Sequence, residues 1–144
     1  MEYNSVNELS AEFISLNSAF IDAQIRRYLL QIGVLPNLKG FKLIGAAVNL
    51  WMGKPDLFFM SMGDTYVTLG ESFGLKHTSV ERNIRHAINQ AYFNGKLRNL
   101  NKICKVDVFD GLEKPTNSEV ICLLVEAIYW DLVDNNTHAE AIGM

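Results

Sequence analysis

Glu81, Arg82, Arg85 and His86 stand close together in the run Val80-Glu81-Arg82-Asn83-Ile84-Arg85-His86-Ala87-Ile88. An arginine can donate two parallel hydrogen bonds to the O6 and N7 of guanine, and a glutamate can accept from the N4 of cytosine. Arginine and histidine can also donate to phosphate oxygens, which sets affinity and register but reads no sequence. That chemistry needs one open face. A helix over 79–94 provides it, with Arg82, Arg85, His86 and Asn89 on one side and Thr78 and Ser79 near the N-terminal end. Val80, Ile84, Ala87, Ile88 and Ala91 take the opposite side, which must be core. Two outward arginines on a helix are ordinary in themselves, so the elements around them carry the rest of the reading.

The preceding segment has the form of a positioning device. Residues 64–74 predict a short helix capped by Asp64 or Thr65, with Val67, Leu69 and Phe73 apolar and Gly74 suited to the turn that follows. Thr78 or Ser79 then caps the longer helix. Thr78 has Glu81 three positions on, a capping-box arrangement, and Gly95 is a natural stop. A short helix, a glycine turn and a second helix with outward arginines form a helix-turn-helix pattern, whose second helix meets base edges in the major groove.

The rest of the chain reads as further helices. Residues 8–20 space Leu9, Phe13, Leu16 and Phe20 by threes and fours, and 22–32 place Ile25, Leu29 and Ile32 on one face before Gly33. After a turn at Pro36, the weakly polar helix 39–52 predicts deep burial for Leu43, Ala46, Ala47, Leu50 and Trp51. Gly53, Pro55 and Gly63 break the next segment. A last helix begins at Thr116-Asn117-Ser118-Glu119, after Pro115, with Val120, Leu123, Leu124, Ala127 and Ile128 as its buried stripe. The one strand candidate is the alternating run Lys105-Val106-Asp107-Val108-Phe109. The last ten residues are expected to fray. The fold class is all-α.

Composition narrows the functions. The 144 residues suit one domain, and 49% hydrophobic with 20% charged residues is a globular balance. The net charge of −3 speaks against a polyanion partner, but its distribution does not. Residues 76–105 hold seven bases against Glu81 alone, whereas 106–144 hold eight acids against Lys114 and 1–25 hold four acids and no base. A local basic field steers a polyanion whatever the total. Cys104 and Cys122 fit neither a redox pair nor a zinc knuckle and read as small buried residues. His77, His86 and His138 lack metal-ligand spacing, and no phosphate-binding glycine loop or nucleophile elbow is present. Glu113 and Glu119 read as helix-dipole partners, and Phe58, Phe59, Met60 and Met62 as core. The apolar stretch 43–53 is too short to span a bilayer, and no secretory signal opens the chain. The expectation is a cytoplasmic, nucleoid-associated protein that is not an enzyme and needs no metal, cofactor or membrane.

Three ordered blocks sharpen this reading. They are Ile32-Gly33-Val34 with Leu38-Lys39-Gly40-Phe41, then Val80-Glu81-Arg82 with Ile84-Arg85-His86-Ala87-Ile88, then Lys114-Pro115-Thr116-Asn117-Ser118-Glu119. In order and spacing, over roughly 22–130, they resemble the C-terminal effector domain of the sporulation master response regulator of endospore-forming bacteria. The resemblance implies a six-helix all-α domain whose central helix-turn-helix reads a short promoter box, with domains paired in tandem. Here it implies an extra N-terminal helix over 1–21, the effector domain over 22–134 and a frayed tail over 135–144. Carried over by position, Glu81 and Arg82 contact bases, and Ser79 stands where the family has a base-reading arginine. Arg85 and His86 lie at the DNA backbone, where Thr78, Lys96 and Arg98 are further candidates. The implied partners are double-stranded promoter DNA, a second copy, and RNA polymerase or the full-length regulator. About 20 residues before the match leave no room for a receiver domain, so a regulator acting without a phosphoacceptor is expected. The alternative is a protein-interaction module that keeps the fold with weakened DNA contacts.

Overall fold

Local chemistry sets the helix boundaries, beginning with the serine that opens the first helix. The computed structural model describes residues 10–53 and 61–141, with the side-chain environment given through 135. Helix α1 (Ala11–Leu16) starts where the Ser10 hydroxyl accepts from the Phe13 N–H at 3.0 Å. It stops at Asn17, whose side-chain amide donates to the Phe13 carbonyl at 2.9 Å and so competes with the next helical turn. Helix α2 (Ser18–Gln31) follows at once. The break therefore falls at Asn17 rather than near 21. Phe20 belongs to α2, Leu16 is 78% exposed, and Ile14 is the α1 residue in the core. Leu9 lies outside the described residues.

Helix α3 (Lys39–Met52) sits at the centre, packed against α2 and against helices introduced next. Leu43, Ile44, Ala47, Val48, Trp51 and Met52 are buried, whereas Ala46 and Leu50 are only partly covered. Helix α4 (Met62–Phe73) begins earlier than the sequence pattern indicated. Its cap is Ser61, whose hydroxyl accepts from the Asp64 N–H at 3.0 Å, and Gly63 lies within the helix. Thr65 has a different task. Fully buried, it accepts from the Trp51 indole N–H at 3.1 Å and donates to the Ser61 carbonyl at 3.1 Å, fastening α4 to α3. Of the three apolar positions Val67, Leu69 and Phe73 on α4, Leu69 is buried, whereas Val67 and Phe73 are exposed. Pro55, Phe58, Phe59 and Met60 lie outside the described residues, and Met62 packs partly against the core.

Helix α5 (His77–Phe93) is followed by a 3-10 turn (Leu97–Asn99), the short α6 (Leu100–Cys104) and the long α7 (Asn117–Ala141). No strand forms among the described residues. Lys105–109 is a loop instead, because no second strand lies beside it and Asn101 satisfies its backbone. The Asn101 side-chain oxygen Oδ1 accepts from the Val108 and Phe109 N–H groups at 2.8 and 2.9 Å, and its side-chain nitrogen Nδ2 donates to the Phe109 carbonyl at 2.7 Å. Helix α7 extends to Ala141, into the span expected to fray. Its stripe of Val120, Ile121, Leu124, Val125, Ile128, Tyr129 and Leu132 closes the core over α3. Between α2 and α7 the Tyr28 hydroxyl donates to the Asp131 carboxylate, and Gln24 donates to that carboxylate at 2.8 Å. Burial, then the Asp131 acceptor, pushes the Tyr28 hydroxyl well above the usual tyrosine range. Cys104 and Cys122 are free and half-buried, and burial pushes both thiols up.

Candidate nucleic-acid interface

The turn between α4 and α5 is built around two glycines. Gly74 caps α4 in the left-handed region (φ 67°), which glycine adopts without steric cost, and the Leu75 N–H returns to the Gly70 carbonyl at 2.9 Å. A methyl group on Gly70 would stand 2.4 Å from the Leu75 carbonyl oxygen, so the chain can fold back this tightly only over glycine. Helix α5 then starts at His77, two residues before the expected start. Ser79 and Val80 N–H groups already donate to the Lys76 carbonyl, at 2.9 and 3.1 Å. Thr78 and Ser79 are therefore first-turn residues and not caps, and no side chain caps this end. The capping box forms elsewhere, at the start of α7. There the Thr116 hydroxyl accepts from the Glu119 N–H at 3.1 Å, and the Glu119 carboxylate accepts from the Thr116 N–H at 3.0 Å.

The two faces of α5 divide as the helical projection requires. Val80, Ile84, Ala87, Ile88 and Ala91 are all at most 1% exposed. Thr78, Arg82, Arg85 and His86 are exposed, and Ser79, Glu81 and Asn89 are half-buried at the edge. The Glu81 carboxylate pairs with the Arg85 Nε at 3.2 Å. Both side chains reach solvent, Glu81 less than Arg85, so this one-turn pair contributes only a few tenths of a kcal/mol, about the size typical of such pairs. It holds Nε and leaves the two terminal nitrogens of Arg85 to other acceptors. An Arg82 terminal nitrogen lies 3.5 Å from the Ser79 hydroxyl, at the outer limit of a hydrogen bond.

Ser79, Glu81, Arg82 and Arg85 are thus gathered within the first three turns of the exposed face, with Thr78 and His86 beside them. Lys96 and Arg98 are not. They follow the C-terminal end of α5, about 25 Å from its start at 1.5 Å per residue. Both are exposed, and Arg98 lines a cleft shared with Asp107, Asp110, Glu113 and Glu119.

Sequence reasoning missed the residues that hold α5 from behind. Gly40 of α3 meets α5 so closely that an added methyl would stand 2.4 Å from the Asn83 carbonyl oxygen and 2.5 Å from the Ala87 Cβ. On another side the Asn117 side chain bonds α5 and Tyr66, and the Lys114 ammonium donates to the Asn89 side chain. The only signal for either was membership of the first and third sequence blocks. Among the described residues no group of three or more His, Cys, Asp or Glu is placed to hold a metal ion, and no helix is long and apolar enough to cross a membrane.

Residues 25–128 of this chain match the family described as "Sporulation initiation factor Spo0A C terminal". The matched span starts in α2, contains the whole helix-turn-helix and ends in α7.

Proposed function

The chain belongs to the family of the sporulation initiation factor's C-terminal domain, a family of DNA-binding transcription regulators and not of enzymes, and from that premise we propose that its helix α5 reads a short box in promoter DNA. The observation that carries the proposal is the exposed face of Thr78, Arg82, Arg85 and His86, with Ser79 and Glu81 at its edge, on a helix whose opposite face is wholly buried. Its N-terminal half, presented by the Gly70–74 turn, is the part a helix-turn-helix lays against base edges. In this reading Arg82 and Glu81 meet bases, while Thr78, Arg85 and His86 meet the sugar-phosphate backbone. Lys96 and Arg98, a helix length away, serve only flanking phosphates. Ser79, where the family has an arginine, cannot make a bidentate guanine contact. The loss of such a contact is worth about 1–3 kcal/mol of discrimination, so box preference is relaxed or shifted. The regulator works on nucleoid DNA in the cytoplasm.

Fluorescence anisotropy with a duplex carrying the family's box and with a scrambled duplex, across a salt series, tests this. Tighter binding to the box is expected, with affinity for both falling as salt rises. Equal affinity for the two duplexes would remove sequence-specific regulation. Absence of binding even at low salt would remove DNA binding altogether.

A further inference from the structure

Asn117 opens α7, far along the chain from the helix-turn-helix, yet its side chain is bonded to both helices of that motif. Its amide donates to the Tyr66 hydroxyl of α4 at 3.0 Å and to the Glu81 carbonyl of α5 at 3.4 Å. One amide nitrogen carries two hydrogens, so it can serve both acceptors at once. Tyr66 is a neutral acceptor. Burial pushes its hydroxyl above the usual tyrosine range, and the Asn117 hydrogen bond works the other way without cancelling that. The support behind Asn117 is rigid. Pro115 precedes it, the Thr116–119 capping box fixes its turn, and the Lys114 ammonium reaches Asn89 two turns further along α5.

The place of attachment matters more than the number of bonds. Within the helical ladder the Glu81 carbonyl is also the acceptor for the Arg85 N–H. Glu81 immediately precedes Arg82, and its carboxylate holds Arg85. On another side α5 rests against Gly40 at Asn83. The N-terminal half of α5 is therefore held between a close backbone contact and a side-chain anchor, on the turn that carries Arg82. Base readout requires side chains placed to within about 0.5 Å, which demands a rigid support of this kind.

We propose that Asn117 is a positioning residue for DNA reading: through Tyr66 and the Glu81 carbonyl it sets the tilt of α5, and so the placement of Arg82 and Arg85, without touching DNA itself. This rests on the reading of α5 as the DNA-contacting helix. The test compares the parent with Asn117→Ala, Tyr66→Phe and the double variant. Tyr66→Phe removes one oxygen and spares the fold. Box affinity should fall roughly five- to tenfold for N117A and about threefold for Y66F, the size of one or two hydrogen bonds. The double variant should be no worse than N117A, because both changes break the same link. Affinity for scrambled DNA should stay within about twofold, since phosphate contacts tolerate a small tilt. Without DNA, amide exchange in N117A should accelerate at 79–85 and stay unchanged at 41–48. Equal losses on box and scrambled DNA, or exchange accelerated throughout, would reduce Asn117 to a general stabiliser and overturn the proposal. Box affinity unchanged in both single variants would also overturn it. If the parent itself fails to bind the box, the reading of α5 is what fails. The exchange comparison then decides on its own whether Asn117 positions that helix.

Discussion

Gly40→Ala is expected to lower the stability of the domain by about 2 kcal/mol, seen as a fall of roughly 4–8 °C in the thermal midpoint followed by circular dichroism. The added methyl meets a carbonyl oxygen at 2.4 Å and a Cβ at 2.5 Å. Neither is the far end of a flexible side chain, so α3 and α5 must move apart. Overpacking of this kind costs typically about 1–3 kcal/mol and more where backbone is involved. The opposing gain from replacing a helical glycine is at most about 1 kcal/mol, and less so close to the helix start. The same displacement should weaken box binding at temperatures where the variant is fully folded, because α5 carries the contacting face. A midpoint within about 2 °C of the parent would mean that the two helices do not approach as closely as described.

The second large effect separates the two arginines. Arg82→Ala should cut discrimination between box and scrambled DNA by about 1–3 kcal/mol, or roughly five- to 150-fold, while leaving weak binding to scrambled DNA nearly intact. Arg85→Ala should weaken both duplexes together and lower the salt slope by about one unit, as expected for one lost phosphate contact. The surroundings favour this division. Among the described residues the one hydrogen bond of the exposed Arg82 side chain is to the Ser79 hydroxyl, at 3.5 Å, which leaves the guanidinium able to reach a base. Arg85 is held at Nε by Glu81, which leaves its terminal nitrogens to serve as a fixed charge. Removing Arg85 also uncovers the Glu81 carboxylate, which repels any DNA backbone near it. If the two variants lose affinity in the same pattern, the assigned roles are wrong.

What was legible in the sequence follows from how local each signal is. The buried stripe of α5 and its exposed arginines come from one periodicity within one helix, and all five apolar positions are buried. Helix starts were less secure, because several residues compete to cap. Ser61 and Thr116 do cap, whereas Thr65 is committed to Trp51 and Thr78 lies inside a helix that has already begun. The alternating run 105–109 looked like a strand because alternation does not reveal whether a partner strand exists; Asn101 takes the partner's place. Gly40 and Asn117 carried no local signal. Their importance lies in contacts with residues 43 and 36 positions away, which only the packed fold brings together. The distance of Lys96 and Arg98 from the first turns of α5 was hidden for a related reason. Composition counts bases along the chain, and a 17-residue helix separates them in space.

The most direct test of the central claim is a two-dimensional NMR titration of the isotopically labelled protein with the family's box duplex. The expected result is that shift changes concentrate on the amides of 76–86 and on the guanidinium signals of Arg82 and Arg85, with scrambled DNA shifting Arg85 more than Arg82. Changes centred instead on the acidic part of the chain, the 106–113 loop and α7, with α5 unmoved, would contradict the assignment of α5 as the helix that reads DNA.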